Sequence, residues 1–208
     1  GLGGREMNYP RGKTLGGSSS INGLLYIRGQ SQDYNYWRQL GNVGWSWEDV
    51  LPYFMKSEDN QRGTNEFHGV GGPQSVEDMR VKMKVLDTFI DAAEEFGFPR
   101  QSDFNTGENE GIGYFQVTQR NGFRCSTAVG YLNPIKNRKN LKIITKAHVK
   151  NIEFENNKAV AVNYWINNQL VKIKANIEII LSAGSIGSPH ILQVSGIGPG
   201  KLLKNNNV

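Results

Sequence analysis

A glycine- and serine-rich segment near the start of the chain has the composition of a loop whose backbone touches a flat or anionic ligand. Gly12, Gly16 and Gly17 permit positive φ angles and close approach of the backbone. Residues 18–20 are all serine, and each hydroxyl can donate and accept a hydrogen bond. The apolar run after Ile21 predicts the start of a buried helix. Taken alone, the segment is equally consistent with an ordinary turn.

A second segment with the same character lies near the end of the chain. The β-branched run at 177–181 predicts a buried strand. Ser188 and Pro189 predict the start of a helix, as its N-cap and first residue, and Gly196 predicts its end. A strand, a turn of small residues and a helix form a βα crossover. Open α/β sheets bind ligands at the carboxyl end of such a strand.

Together the two segments resemble the signatures of the glucose–methanol–choline (GMC) oxidoreductases, which are FAD-dependent enzymes. Residues 12–22 resemble the first signature and residues 184–198 the second, in the order that the family has them. Two long motifs in the right order make this resemblance specific. The intervening sequence is similar to the bacterial choline dehydrogenase branch, so the resemblance covers essentially the whole chain; the similar stretches are 33–37, 44–47, 51–54, 67–69 and 124–128.

The resemblance implies oxidation of an alcohol or choline to an aldehyde, with hydride transfer to the flavin N5 atom and a quinone or oxygen as the electron acceptor. Asn22 is expected to hydrogen-bond the flavin ring or ribityl chain. Residues 22–25 are expected to start a helix near the flavin, and Asn22 is compatible with being its N-cap. Val149 is either an adenine contact or an ordinary core valine. The cofactor-binding residues that the resemblance implies are Thr14, Gly16, Gly17, Ser18, Ser19, Asn22, Gly23, Leu24, Leu25, Val149, Ala183 and Gly184.

Several features of the family are missing from this sequence. Members that attach FAD covalently use a histidine where this chain has Ile21, so the FAD is expected to bind noncovalently. No strand followed by GxGxxG is present, and the catalytic histidine of the family is expected beyond Val208. We therefore expect an internal fragment that is inactive alone and contains no catalytic residue. The rival interpretation is a noncatalytic α/β module that binds a flavin or nucleotide.

The predicted fold class is α/β, comprising part of a Rossmann-like FAD-binding domain with antiparallel hairpin strands and part of a substrate or cap domain. Residues 1–59 are assigned to the FAD-binding domain and a flavin-covering segment, 60–140 to the partial cap, and 141–208 to the FAD-binding domain. Ser46 and Asp49 predict a capped helix, and Ser75 predicts a long helix that ends at Gly97. Asparagine-rich turns separate five predicted strands, at 141–145, 149–155, 159–166, 170–174 and 177–181.

Composition narrows the function classes. The chain has a formal net charge of +5, but its basic residues form no stripe with interleaved aromatics, so nucleic-acid binding is not expected. The expected location is the cytoplasm, with peripheral association at the inner face of a membrane as an option. The single cysteine, Cys125, and the three scattered histidines have no metal-site spacing, and each is expected to be structural.

Overall fold

The computed structural model describes residues 3–208, which form two compact units, one reaching Leu141 and the other comprising Lys142–Val208. Both units contain helices and strands, which confirms the predicted α/β class. The first unit contains the helices α1 (Ser31–Gln39), α2 (Trp47–Ser57) and α3 (Lys84–Glu95), and the strands β1 (Leu25–Tyr26), β2 (Glu58–Asn60), β3 (Gln74–Asp78), β4 (Gln116–Val117), β5 (Gln119–Arg120) and β6 (Phe123–Arg124). The second contains β7 (His148–Glu155), β8 (Lys158–Ile166), β9 (Gln169–Lys174), α4 (Gly184–Val194) and α5 (Gly200–Asn205).

A mixed sheet with the order β1-β4-β3-β2 organises the first unit. Strand β2 runs parallel to β3, whereas β4 runs antiparallel to both β3 and β1. Val76 on β3 and Val117 on β4 are buried at the centre of this sheet. The pairing of Leu25 with Val117 fixes β1 in place, and the glycine- and serine-rich segment leads directly into that strand.

Local capping signals predicted α2 correctly. The Ser46 hydroxyl accepts a hydrogen bond from the Asp49 amide at 3.3 Å, and the Asp49 carboxylate accepts one from the Ser46 amide at 3.0 Å. This reciprocal capping box satisfies two amides that have no partner inside the helix. Tyr34 of α1 packs against Phe54 of α2 with 5.7 Å between ring centroids, so the two helices share an aromatic cluster.

The long helix predicted from Ser75 is wrong over its first part. Residues 74–78 are strand β3, in which Ser75 pairs with Asp59 of β2, and the helix begins only at Lys84. Pairing on both sides of β3 outweighs the local helical pattern, because a central strand satisfies its backbone groups across the sheet. The predicted end is confirmed: α3 stops at Glu95, and Gly97 has a φ of +109°.

An antiparallel sheet of β7, β8 and β9 forms the second unit together with α4 and α5. The three strands and both asparagine turns agree with the predictions. Asn156, Asn157, Asn167 and Asn168 all have positive φ, the geometry that two-residue hairpin turns require. Ile152 of β7 and Tyr164 of β8 are buried, and the Ile152 amide donates to the Ser195 hydroxyl at 2.8 Å, which ties the end of α4 to the sheet.

Two predicted strands are wrong. Residues 141–145 and 177–181 belong to no strand, and Ile177 and Ile180 are 83% and 80% exposed. A strand needs hydrogen-bond partners along its edges, and no strand of residues 3–208 pairs with either segment. Helix α4 begins at Gly184 rather than at Ser188, and the Ser188 hydroxyl accepts from the Ala183 amide at 2.9 Å instead of capping a later helix start. Its end is as predicted, since Gly196 has a φ of +87°.

Candidate functional site

Residues 12–22 fold back on themselves into a compact loop. The Gly17 amide donates to the Thr14 carbonyl at 2.9 Å, a 3-10 turn spans Gly17–Ser20, and the Asn22 amide donates to the Ser18 carbonyl at 2.9 Å. Gly12 lies directly against this turn, because a Cβ at Gly12 would stand 2.1 Å from the Gly17 carbonyl oxygen. No larger residue fits there without moving the loop.

The two central glycines have different surroundings. Gly16 and Gly17 both have positive φ, +88° and +53°. A Cβ at Gly16 would lie 2.5 Å from the Ser20 hydroxyl oxygen, so packing within the protein accounts for that glycine. A Cβ at Gly17 would meet no atom within 4 Å among residues 3–208. The face of the loop at Gly17 is therefore open to a ligand.

The serine hydroxyls mainly hold the loop closed. Ser19 donates to the Gly16 carbonyl at 2.5 Å, and Ser20 donates to the Leu15 carbonyl at 2.8 Å. The Ser18 hydroxyl accepts from the Gly12 amide at 3.3 Å and keeps its own proton to donate. The backbone amides of Leu15 and Gly16 donate no hydrogen bond within the part of the chain that the structure describes. These amides are among the donors that the loop can offer to a ligand.

The segment at 124–128 lies 102–111 positions further along the chain and holds the loop through hydrogen bonds. The Thr127 hydroxyl donates to the Gly16 carbonyl at 3.2 Å, and the Thr127 amide donates to the Ser19 hydroxyl at 3.0 Å. Arg124 donates to the Ser19 carbonyl at 3.0 Å and to the Asn22 side-chain and main-chain oxygens at 2.7 and 2.8 Å. Sequence reasoning noted this segment only as part of the resemblance and assigned neither residue to the site.

Leu24 is the strained residue of the site. Its φ of +70° is rare for a leucine and costs on the order of 1–3 kcal/mol. The Leu24 amide donates to the Asn22 side-chain oxygen at 3.1 Å, and the Leu24 carbonyl accepts from the Thr118 amide at 2.8 Å. The prediction that a helix starts at 22–25 is therefore wrong: Asn22 caps no helix, and β1 begins at Leu25. Residues kept in strained conformations by their neighbours concentrate at functional sites.

Apolar side chains flank the open backbone of the loop. Leu15, Ile21 and Leu25 are each about half exposed, at 48%, 50% and 50%. Unpaired amides beside apolar surface suit a ligand that has both hydrogen-bond acceptors and a flat ring system. The structure thus gathers Thr14, the residues of 16–19 and those of 22–25 into one continuous stretch of surface and backbone.

Three predicted site residues lie in the second unit. Val149 is within β7, opposite Tyr164 of β8. Ala183 is the N-cap residue of α4, and Gly184 begins that helix with a φ of +85°. A positive φ at Gly184 is the conformation that glycine adopts without steric cost.

A buried ionic network, which sequence reasoning missed, lies in the first unit. The His68 ring is hydrogen-bonded by Glu58 at 3.0 Å and by Asp103 at 2.8 Å, and Arg28 pairs with Glu58 at 2.9 Å. The hydrogen bonds to Asp103 and Glu58 raise the pKa of His68 to about 9, against the opposing effect of burial. Burial acts to raise the pKa of Glu58, but hydrogen bonds from His68 and Asn60 outweigh it and lower that pKa.

We interpret this network as one that stabilises the fold. Each charge has an opposite partner, and Arg28 also donates to the Phe67 carbonyl at 2.8 Å, which ties the end of the β1 segment to the loop at 67–69. Among residues 3–208, no group of three or more histidine, cysteine, aspartate or glutamate side chains is arranged to hold a metal ion. Cys125 is buried, as expected.

Similar proteins match this chain over nearly its whole length. The family model described as GMC oxidoreductase matches residues 2–206. The chain is 41% identical to "Alcohol dehydrogenase [acceptor]" of Pseudomonas putida over 207 residues, which cover 98% of this chain and 38% of that protein. It is 42% identical to "Oxygen-dependent choline dehydrogenase" of Vibrio vulnificus over 209 residues, which cover 100% of this chain and 37% of that protein.

The fold of this chain is also similar to parts of solved structures. Pyridoxine 4-oxidase from Mesorbium loti superposes with a TM-score of 0.89 and 32% identity, covering 95% of this chain and 39% of that chain. An FAD-dependent oxidoreductase from Chaetomium thermophilum superposes with a TM-score of 0.92 and 31% identity, covering 100% of this chain and 38% of that chain. The chain thus spans less than two fifths of the length of each of these four proteins.

Proposed function

The chain belongs to the GMC oxidoreductase family, and we propose that its loop at 12–25 contacts the FAD of an enzyme that oxidises an alcohol to a carbonyl compound. One observation carries this proposal. The loop has an open face at Gly17 and a strained residue at Leu24, and hydrogen bonds from Thr127 to Gly16 and from Thr118 to Leu24 hold the segment from elsewhere in the first unit. A turn that only reversed the chain would need neither feature.

The residues present fit FAD as the ligand. The free amides of Leu15 and Gly16 suit anionic or carbonyl oxygens, and the half-exposed Leu15 and Leu25 suit a flat ring. Ile21 offers no nucleophile for covalent attachment, so the FAD is proposed to bind noncovalently. Bound FAD would supply the hydride acceptor that alcohol oxidation requires. The residues proposed to contact it are Thr14, Gly16, Gly17, Ser18, Ser19, Asn22, Gly23, Leu24, Leu25, Val149, Ala183 and Gly184.

The role of these residues is to bind and orient. Gly12 and Gly16 allow the tight packing of the loop, and Thr127 and Arg124 keep its carbonyls turned inward. The outer face is thereby left with amides and apolar side chains. A preorganised surface of this kind loses little conformational freedom when its ligand binds.

The substrate is proposed to be a small alcohol, with choline as the first to test, because relatives are named for choline and for alcohol oxidation. The electron acceptor is proposed to be oxygen or a quinone. None of the helices within residues 3–208 has the length and apolar character needed to cross a bilayer. We propose a cytoplasmic protein whose membrane association, where it occurs, is peripheral.

We further propose that the dinucleotide fingerprint and the catalytic base lie in other parts of the gene product. The support is that this chain covers only 38% and 37% of two curated relatives. The 208-residue chain expressed alone is then expected to reduce no dye when choline or another alcohol is added.

The test uses the product of the complete gene. After purification, its visible absorption spectrum reports bound flavin, and anaerobic addition of choline or a primary alcohol should bleach that spectrum. A quaternary ammonium compound without a hydroxyl group is the matched control and should leave the spectrum unchanged. Oxygen or a quinone is then added to see which one restores the flavin absorbance.

Two results would overturn the proposal. A purified gene product that binds no FAD would remove the cofactor assignment. Bound flavin that no alcohol bleaches would favour the rival interpretation, a noncatalytic flavin-binding module.

A further inference from the structure

The guanidinium group of Arg124 holds two residues of the loop. Its Nη1 donates to the Ser19 carbonyl at 3.0 Å and to the Asn22 side-chain oxygen at 2.7 Å, and its Nη2 donates to the Asn22 carbonyl at 2.8 Å. Asn22 therefore receives two charge-assisted hydrogen bonds from one planar group. A fork of this kind fixes orientation as well as distance.

The anchor of this guanidinium is itself well fixed. Arg124 lies on β6 opposite Gln119 of β5. The next residue, Cys125, is buried, and its amide donates to the Thr118 carbonyl at 2.9 Å. The Cys125 carbonyl accepts from the Gln74 side chain at 2.9 Å. Arg124 thus extends from a hydrogen-bonded hairpin whose next residue is buried.

These contacts determine which way the Asn22 amide points. Its side-chain oxygen accepts from Arg124 and from the Leu24 amide, the latter at 3.1 Å. Arginine and a backbone amide can only donate, so the side-chain oxygen of Asn22 must face both of them. The flipped orientation, with Nδ2 in the place of the oxygen, would set donor against donor and is excluded. The Asn22 Nδ2 therefore points away, and it donates to no atom of residues 3–208.

We propose that Arg124 is a positioning residue that orients Asn22 so that its side-chain N–H₂ donates to an acceptor atom of the bound ligand. This inference rests on the proposed function, in which that ligand is FAD. The acceptor is a carbonyl oxygen, ring nitrogen or hydroxyl oxygen, and a group that can only donate is excluded from that position.

The sharpest variant is Asn22→Asp. It keeps an oxygen for Arg124 and for the Leu24 amide, but it replaces the outward N–H₂ with a second, negatively charged oxygen. We expect FAD to bind at least about tenfold more weakly, with no loss of apoprotein melting temperature. Dissociation constants are measured by titrating apoprotein of the complete gene product with FAD, and melting is measured on the same apoprotein.

Arg124→Ala tests the positioning role through a double-mutant cycle. Alone, it should weaken FAD binding by about tenfold, and Arg124→Lys should restore part of the affinity. In the Asn22→Ala background the effect of Arg124→Ala should be smaller, because the amide that Arg124 orients is gone and only its bonds to the Ser19 and Asn22 carbonyls remain. Arg120→Ala is the matched control: it removes the same charge from the neighbouring strand, where the Arg120 side chain donates to the Pro73 carbonyl at 3.4 Å and to no residue of the loop among residues 3–208.

The outcomes separate this inference from the proposed function. A wild-type gene product that binds no FAD would defeat the proposed function itself. Normal FAD affinity in Asn22→Asp, or additive effects in the cycle, would overturn the positioning role while leaving the cofactor assignment intact. If Arg124→Ala does not fold, Arg124→Lys takes its place in the cycle.

Discussion

The open face at Gly17 leads to the prediction that Gly17→Val removes FAD from the complete gene product while the protein still folds. The structure gives the size of the folding penalty. A Cβ at this position would meet no atom within 4 Å among the described residues, so the strain that the structure shows is the positive φ of +53°. That strain costs about 1–2 kcal/mol, so the apoprotein should lose some melting temperature and still fold.

Gly44→Val is the matched control for this variant. Gly44 has a φ of +86°, and a Cβ there also meets nothing within 4 Å of residues 3–208, so the backbone penalty is similar. Gly44 lies outside the loop at 12–25. We expect similar losses of apoprotein melting temperature in both variants, but loss of bound flavin only in Gly17→Val. The flavin-to-protein ratio after purification is the assay. Normal flavin content in Gly17→Val would show that the loop is only a turn.

Three further predictions concern packing and the buried network. Gly12→Ala places a methyl group 2.1 Å from the Gly17 carbonyl oxygen, so we expect a loss of about 1–3 kcal/mol in urea unfolding, and an unchanged midpoint would contradict the packing. Glu58→Ala leaves Arg28 and His68 buried without their carboxylate, so we expect the free energy of unfolding to fall by about 3–5 kcal/mol in the same assay. A decrease of less than about 1 kcal/mol would indicate that the network is unpaired or hydrated. Because the pKa of His68 is raised to about 9 from 6.5, its protonated form stabilises the fold fully below pH 6.5, and this contribution is lost as the pH rises through 9. Thermal melts should therefore fall more steeply over that window in wild type than in His68→Asn, and parallel curves would contradict the assignment.

Features coded by neighbouring residues were predictable from the sequence. The capping box of Ser46 and Asp49, the end of α4 at Gly196 and the asparagine hairpins depend on contacts within a few residues. Their geometry follows from side-chain chemistry and local φ preferences. The glycine-rich composition of the loop likewise indicated that Gly16 has to be a glycine.

Features that depend on distant partners were not predictable. Residues 75–78 carry a plausible helix start, yet β2 and β4 hold them in a strand. The segment 177–181 has strand composition but lacks a pairing strand within the described residues. The contact of Arg124 with Asn22 bridges 102 positions, and that of His68 with Asp103 bridges 35. Sequence periodicity contains no information about such pairs, so the long-range contacts that hold the site together are visible only in the folded structure.

A structure of the complete gene product with FAD bound would show directly whether the loop at 12–25 contacts the cofactor. We predict that the cofactor lies against the backbone at Gly17, with an acceptor atom within hydrogen-bond distance of the Asn22 Nδ2. A structure in which the loop at 12–25 faces solvent while FAD is bound elsewhere would contradict it.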